Sequence, residues 1–137
     1  MHHPLKTSYD VVIIGGAMMG SSTAWFLTEN PDFDGSVLVI EKDPTYESAS
    51  TTHTNSCMRQ QFSTEINVRI SQFAADFVNN FRERMGGDPR VPELKTQSYR
   101  YMYLADTNAF EDILRENQNE QRAAGAATVL MTPDQIK

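Results

Sequence analysis

The sequence predicts an α/β fold built on a parallel β-sheet with a helix packed against it, and three observations lead to this prediction. An apolar run at residues 11–14 leads directly into a glycine-rich turn at residues 15–20. A pattern suited to a helix follows over residues 21–30, where Pro31 ends it. A second apolar run then covers residues 36–40. Continuous apolar runs on either side of a helix are typical of a parallel, Rossmann-like βαβ unit, so we expect these strands to be buried on both faces.

The glycine turn predicts a binding site for a dinucleotide. Gly15 allows the sharp exit from the first strand, and Gly20 allows the helix to pack closely on the sheet. Unpaired backbone N–H groups at the start of that helix attract a pyrophosphate. The fingerprint G-x-G-x-x-G expects its middle glycine at position 17, where this chain has Ala17, and Gly16 lies one place earlier. We expect the methyl group of Ala17 to be tolerated, so the sequence is a weaker match to the fingerprint.

Glu41 ends the second apolar run, where a dinucleotide site carries its ribose-binding carboxylate. The fingerprint places that carboxylate about 20 residues after the glycines. The interval is longer here because a polar turn occupies residues 31–35. A carboxylate accepts hydrogen bonds from both ribose hydroxyls and repels a 2′-phosphate, so Glu41 argues against NADP.

Composition and charge exclude several classes of protein. The net charge of −6 argues against nucleic acid and against anionic membranes as partners. No apolar run reaches the roughly 20 residues that span a bilayer, and no secretory leader precedes the first strand. Cys57 is the single cysteine, and His53 is the only nearby residue that could share a metal with it. We therefore expect a cytoplasmic protein without membrane insertion or a metal site.

The end of the sequence predicts an N-terminal fragment of a longer protein. Thr132 and Pro133 form a helix start, yet the sequence ends at Lys137. Two buried strands cannot cover each other's faces, so the sheet requires more strands. We expect residues 1–85 to be the incomplete cofactor-binding domain and residues 86–137 to be the truncated start of a substrate domain. The remainder of the polypeptide would then be a required partner, and the fragment alone would be inactive.

The loop at residues 42–61 is the second candidate for function. It is rich in Ser, Thr and Asn, and it follows the carboxyl edge of the sheet, where ligands bind. Loops of this length are usually functional or disordered, although a plain solvated loop is the alternative. Arg59 lies near its end, and an arginine close to a cofactor can clamp a substrate carboxylate. Spacing alone leaves an ordinary surface ion pair equally open for Arg59.

The rest of the chain predicts two further helices and a second, antiparallel sheet. A helix capped by Ser63 or Thr64 presents an apolar stripe that we assign to the core, and a charged helix covers residues 107–124. Alternation predicts a strand at residues 97–104, and a short strand is expected at residues 127–131. The stripe consists of Ile66, Ile70, Phe73, Phe77 and Phe81.

Several segments, in order along nearly the whole chain, carry a resemblance to a known family. They are residues 9–16, 39–43, 49–51, 59–63, 71–73 and 132–135, of which the run Arg-Gln-Gln-Phe-Ser at 59–63 is the most specific. The chain resembles the FAD-dependent oxidoreductases of the D-amino-acid oxidase superfamily. Within them it looks most similar to the sarcosine oxidase and dimethylglycine dehydrogenase branch, close to a group that contains a mitochondrial FAD oxidoreductase linked to respiratory complex I assembly.

The resemblance implies a set of roles. FAD would place its pyrophosphate on the turn at residues 15–20 and its adenosine ribose on Glu41, with Lys42 beside the adenine. Arg59 would hold the carboxylate of an amine or N-substituted amino acid, such as sarcosine or dimethylglycine, during hydride transfer to the flavin. No catalytic residue is assigned. The residues implied to bind the cofactor are Gly15, Gly16, Ala17, Met18, Met19, Gly20, Glu41, Lys42, Ser50, Thr51 and Thr52.

The sequence leaves two other functions open. An NAD-dependent dehydrogenase uses the same glycine fingerprint, although the Ser- and Thr-rich loop after Glu41 favours FAD. A flavin-bearing assembly or scaffold protein with little turnover would also carry this sequence.

Overall fold

The computed structural model describes residues 6–136, which fall into two compact units divided between Cys57 and Met58. The first unit has the order strand, helix, strand. Its two strands are parallel, with Val11 opposite Val37 and Ile14 opposite Ile40. The predicted βαβ order is therefore confirmed. The elements of this unit are β1 (Val11–Ile14), α1 (Met18–Thr28) and β2 (Val37–Ile40).

Hydrogen bonds fix both ends of the strand pair and so fix the turn between β1 and α1. At the amino end, the Asp10 carboxylate accepts bonds from the backbone N–H and the hydroxyl of Ser36, each at 2.7 Å. These bonds lower the pKa of Asp10, and the backbone N–H contributes most. At the carboxyl end, the Gly15 N–H donates to the Ile40 carbonyl at 2.7 Å, which carries the ladder into the turn.

The expectation that both faces of the strands are buried is wrong for the described residues. Ile13 faces α1, since a Cβ built on Gly20 would lie 3.1 Å from its Cγ2. Side chains alternate along a strand, so Val12 and Ile14 point away from that helix. Ile14 is 88% exposed. A two-stranded sheet with one helix can cover only one of its faces.

The second unit is helical around a small core. Val68 of helix α2 (Glu65–Asn79) is fully buried, and it packs with Ala124 and Ala126 beyond the end of helix α4 (Asn108–Ala123). Gln121 is also buried, and its amide donates to the Phe62 carbonyl at 3.1 Å. These contacts join the two long helices. The helices are α2 (Glu65–Asn79), α3 (Phe81–Arg84), α4 (Asn108–Ala123) and α5 (Pro133–Ile136).

Several predicted helix boundaries of this unit are confirmed. The Thr107 hydroxyl caps α4 by accepting a bond from the Phe110 N–H at 3.3 Å. Gly125 follows that helix with a φ of 83°, the left-handed conformation that glycine favours after a helix. Thr132 and Pro133 begin α5 as expected. Within residues 6–136, no helix is both long enough and apolar enough to cross a membrane.

The predicted second sheet is absent from the described residues. Residues 97–104 and 127–131 form no strand. Arg100 has a φ of 65°, which interrupts the extended run that the alternating tyrosines suggested. A strand also requires a neighbour to bond its backbone, and within the described part of this unit neither segment has one.

The assignment of the α2 stripe to the core is wrong for much of its length. Ile66 and Ile70 are 63% and 57% exposed, and Phe73 is about half exposed. Val68 lies outside the stripe, yet it is the side chain that α2 buries. The rings of Phe73 and Phe77 in α2 and of Phe81, the first residue of α3, form a row with neighbouring centroids about 6 Å apart. Periodicity identified an apolar face correctly, but that face is not the one that packs against α4.

Candidate functional site

The turn between β1 and α1 requires glycine at two positions. Gly15 has a φ of 98°, which L side chains rarely adopt. A Cβ built on Gly20 would lie 1.8 Å from the Gly15 carbonyl oxygen, closer than any two such atoms can approach. Gly20 therefore allows α1 to start directly against the backbone of the turn. The Ser21 hydroxyl adds a hydrogen bond to the Gly16 carbonyl.

The N-terminus of α1 is open to an anion. Ala17 is the N-cap residue and provides no side-chain cap, and the first turn has no acidic residue. The backbone N–H groups that begin α1 therefore lack an intrahelical partner and carry the positive end of the helix dipole. Ala17 has a φ of −69°, so the backbone conformation at this position does not require glycine. The departure from the fingerprint leaves the turn intact.

Glu41 comes directly after β2 and is fixed by the backbone on both sides. Its Oε2 accepts a bond from the Gly16 N–H at 2.7 Å, and its Oε1 accepts one from the Asp43 N–H at 2.9 Å. These bonds lower the pKa of Glu41, with the Asp43 N–H contributing most and Gly16 next. The structure thus brings the predicted ribose carboxylate to the predicted glycine turn. Each oxygen retains a lone pair for a ligand hydroxyl.

The arrangement fits the ADP half of FAD. An oriented carboxylate suits the two ribose hydroxyls, and the uncapped start of α1 suits a pyrophosphate. The close approach at Gly20 removes the side chain that would otherwise separate the helix from the turn. The Glu41 acceptor and the N–H donors at the start of α1 thus match the ribose hydroxyls and the pyrophosphate of a dinucleotide.

The other predicted cofactor residues lie nearby in sequence, and their roles stay predictions. Lys42 is exposed. Ser50 and Thr51 are exposed in successive turns, where their carbonyls accept hydrogen bonds from the N–H groups of His53 and Thr54, three residues further on. The Thr52 hydroxyl donates to the Tyr46 carbonyl at 2.7 Å, so its own proton is used within the loop. Exposed hydroxyls of this kind are able to bond a ligand.

Arg59 belongs to the second unit, where two aromatic rings hold it. Its guanidinium carbon lies 5.1 Å from the Phe62 ring centroid and 5.9 Å from that of Tyr103. Gln61 ties the same two segments together, since its amide donates to the Tyr101 carbonyl at 3.0 Å. Arg59 forms no ion pair with any residue that the structure describes. The surface ion pair that the sequence left open is therefore not what holds this side chain.

Sequence reasoning missed three residues of these sites. Tyr46 lies against the glycine turn, and Phe62 and Tyr103 lie against Arg59. Phe62 is only three positions beyond Arg59, and this short spacing could have predicted their contact. Tyr103 comes from a distant segment that had been assigned to a strand. No cluster of three metal-ligating side chains occurs in the described part of the chain.

A βαβ unit with a glycine turn, an open helix start and a terminal carboxylate is typical of dinucleotide-binding proteins. The chain belongs to the family of FAD dependent oxidoreductases described as DAO, which it matches over residues 10–137. This membership confirms the resemblance at the level of the family and indicates FAD as the cofactor.

Sequence relatives support the same assignment. The chain is 40% identical to FAD-dependent oxidoreductase domain-containing protein 1 of Xenopus laevis, over 93% of this chain and 26% of the relative. It is 38% identical to the protein of that name from Bos taurus, over 99% and 28%. The Drosophila melanogaster homolog is 37% identical, over 96% and 25%. The chain thus spans about a quarter of the length of these curated relatives. No solved structure matches it significantly.

Proposed function

We propose that this chain provides the ADP-binding turn and a substrate-orienting arginine of a flavoenzyme. The enzyme would oxidise an amine or an N-substituted amino acid, such as sarcosine or dimethylglycine, at the carbon next to nitrogen. Family membership supports FAD as the cofactor and disfavours the NAD-dependent alternative. The resemblance of residues 59–63 supports the class of substrate.

The observation that supports the proposal most is that Arg59 contacts aromatic rings and no described carboxylate. Its guanidinium rests beside the rings of Phe62 and Tyr103, and no described carboxylate neutralises it. The Arg59 N–H groups form no hydrogen bond with any residue that the structure describes, so they are available to a ligand. A guanidinium binds a carboxylate with two parallel hydrogen bonds. Arg59 is therefore prepared for an anionic ligand that comes from outside this unit.

Each group has a separate task in the proposed reaction. Glu41 holds the adenosine ribose, and the start of α1 holds the pyrophosphate. Arg59 fixes the substrate carboxylate, which directs the neighbouring carbon for reaction. When bound, FAD supplies the acceptor for the two electrons and hydrogen that leave this carbon as hydride. The substrate nitrogen then shares its lone pair with that carbon, and water hydrolyses the resulting imine.

Anaerobic reduction of the full-length protein tests this function. Addition of sarcosine or dimethylglycine should bleach the flavin absorbance in the absence of oxygen. Arg59→Ala should raise the KM for these substrates roughly tenfold to a hundredfold, because it removes hydrogen bonds to a charged group worth about 1.5–3 kcal/mol. FAD should remain bound in that variant.

Arg69→Ala is the matched control. Arg69 is also exposed, but it pairs with Glu65 one helical turn away, so its loss should leave KM unchanged. An Arg59→Ala variant with unaltered KM would remove Arg59 from the substrate site. A flavin that no amine or amino acid bleaches would favour the scaffold alternative instead.

The finer placement rests on the resemblance alone. We propose that the protein belongs to the sarcosine oxidase and dimethylglycine dehydrogenase branch, near the group linked to complex I assembly. A cytoplasmic location and the domain boundary at residues 85 and 86 likewise stay proposals.

A further inference from the structure

Tyr46 is held in an unusual conformation in the loop after Glu41. Its φ is 57°, a left-handed value that a residue with a bulky side chain rarely adopts. Three hydrogen bonds secure it. The Tyr46 N–H donates to the Asp43 carbonyl at 3.0 Å, and the Tyr46 carbonyl accepts from the Ala49 N–H at 3.0 Å and the Thr52 hydroxyl at 2.7 Å. Backbone strain that a loop maintains in this way is concentrated at functional sites.

This conformation places the phenol hydroxyl against the glycine turn. A Cβ built on Gly16 would lie 3.1 Å from the Tyr46 hydroxyl oxygen and 3.4 Å from the Glu41 Cβ. Gly16 itself is buried and donates its N–H to Glu41. The hydroxyl therefore lies against the turn that suits a pyrophosphate, next to the glycine whose N–H holds the carboxylate that suits a ribose.

The hydroxyl has no hydrogen-bond partner among the residues that the structure describes. Tyr46 is 38% exposed, so solvent or a ligand reaches part of this residue. A phenol hydroxyl both donates and accepts a hydrogen bond. Its natural ligands at this place are oxygen atoms of a ribose or a phosphate.

We propose that Tyr46 is a further cofactor-binding residue, whose hydroxyl bonds an oxygen of the ADP half of FAD. The inference rests on FAD as the cofactor and is independent of the substrate and of Arg59. The strained backbone has a direct purpose in this account, since it turns the side chain back over Gly16. Tyr46 lies outside the glycine fingerprint and is not the carboxylate that ends the second strand, so neither sequence signal identifies it.

Tyr46→Phe in the full-length protein tests the proposal, because it removes the hydroxyl and keeps the ring. Kd is measured for FAD added to apoprotein and for ADP, which contains the same ribose and pyrophosphate. Loss of one hydrogen bond predicts Kd values about threefold to tenfold higher for both ligands. Thermal unfolding of the apoproteins shows whether the fold is retained.

Tyr9→Phe is the matched control, since Tyr9 precedes β1 at the opposite end from the glycine turn. Its hydroxyl accepts a bond from the Lys6 N–H at 3.2 Å, and its removal should leave both Kd values unchanged. Unchanged Kd values in Tyr46→Phe would overturn the proposal, as would a loss of FAD affinity without a loss of ADP affinity. Wild-type protein that binds no FAD would instead overturn the proposed function.

Discussion

The contact between α1 and the glycine turn gives the sharpest prediction, for the variant Gly20→Ala. The new Cβ would lie 1.8 Å from the Gly15 carbonyl oxygen. Carbon–oxygen contacts in proteins are rarely shorter than about 3.3 Å, so α1 must move away from the turn by roughly 1.5 Å. The clash is with backbone, which cannot rotate away as a side chain can.

Two opposing terms set the size of the effect. Overpacking of this kind costs about 1–3 kcal/mol, and a backbone clash belongs at the upper end. Alanine in a helix recovers about 0.8–1 kcal/mol relative to glycine. The free energy of unfolding should therefore fall by about 2 kcal/mol. FAD affinity should fall at least tenfold, because the N–H groups of the helix start move out of hydrogen-bond range of the pyrophosphate.

Urea unfolding and FAD titration of the full-length protein measure both effects. Thr23→Ala on the same helix is the control, since Thr23 is exposed and its replacement gains helix propensity without a clash. If Gly20→Ala binds FAD like the wild type and its unfolding free energy changes by less than about 0.5 kcal/mol, the close contact of α1 with the turn does not limit stability or binding.

Two further predictions concern Glu41 and Tyr103. The hydrogen bonds from backbone N–H groups lower the pKa of Glu41, so the carboxylate is fully ionised at any pH above the ordinary pKa of a glutamate. Its contribution to FAD binding is lost only when the pH falls below that ordinary pKa. The FAD affinity of the wild type should therefore stay constant between about pH 7 and about pH 5, and Glu41→Gln should weaken FAD binding at both pH values. A loss of wild-type FAD affinity centred between these two pH values would contradict the lowered pKa of Glu41. Tyr103→Leu should raise the substrate KM about twofold to fivefold by removing a cation–π contact from Arg59, without affecting FAD affinity. An effect on FAD alone would refute that role.

The sequence predicted the features that depend on residues close together along the chain. The strand, turn and helix around Gly15 and Gly20 depend on residues that are close in sequence, and their order was correctly predicted. Glu41 was also predicted, because its position follows from the end of β2. The partners that hold Glu41 were not, since they are backbone groups without a residue signature.

Features that depend on distant contacts were missed. The α2 stripe indicated an apolar face, but burial is decided by the partner, and the partner of Val68 lies beyond the end of α4. The alternation at residues 97–104 resembled a strand, although a strand forms only beside another. Tyr46 escaped notice because left-handed backbone at a tyrosine has no propensity signal.

The absorbance spectrum of the purified full-length protein shows whether FAD binds at the glycine turn and Glu41. We expect flavin absorbance in the wild type, or its appearance when FAD is added to apoprotein, and much weaker retention of FAD after Glu41→Ala. A colourless protein that takes up no added FAD would exclude a flavin site.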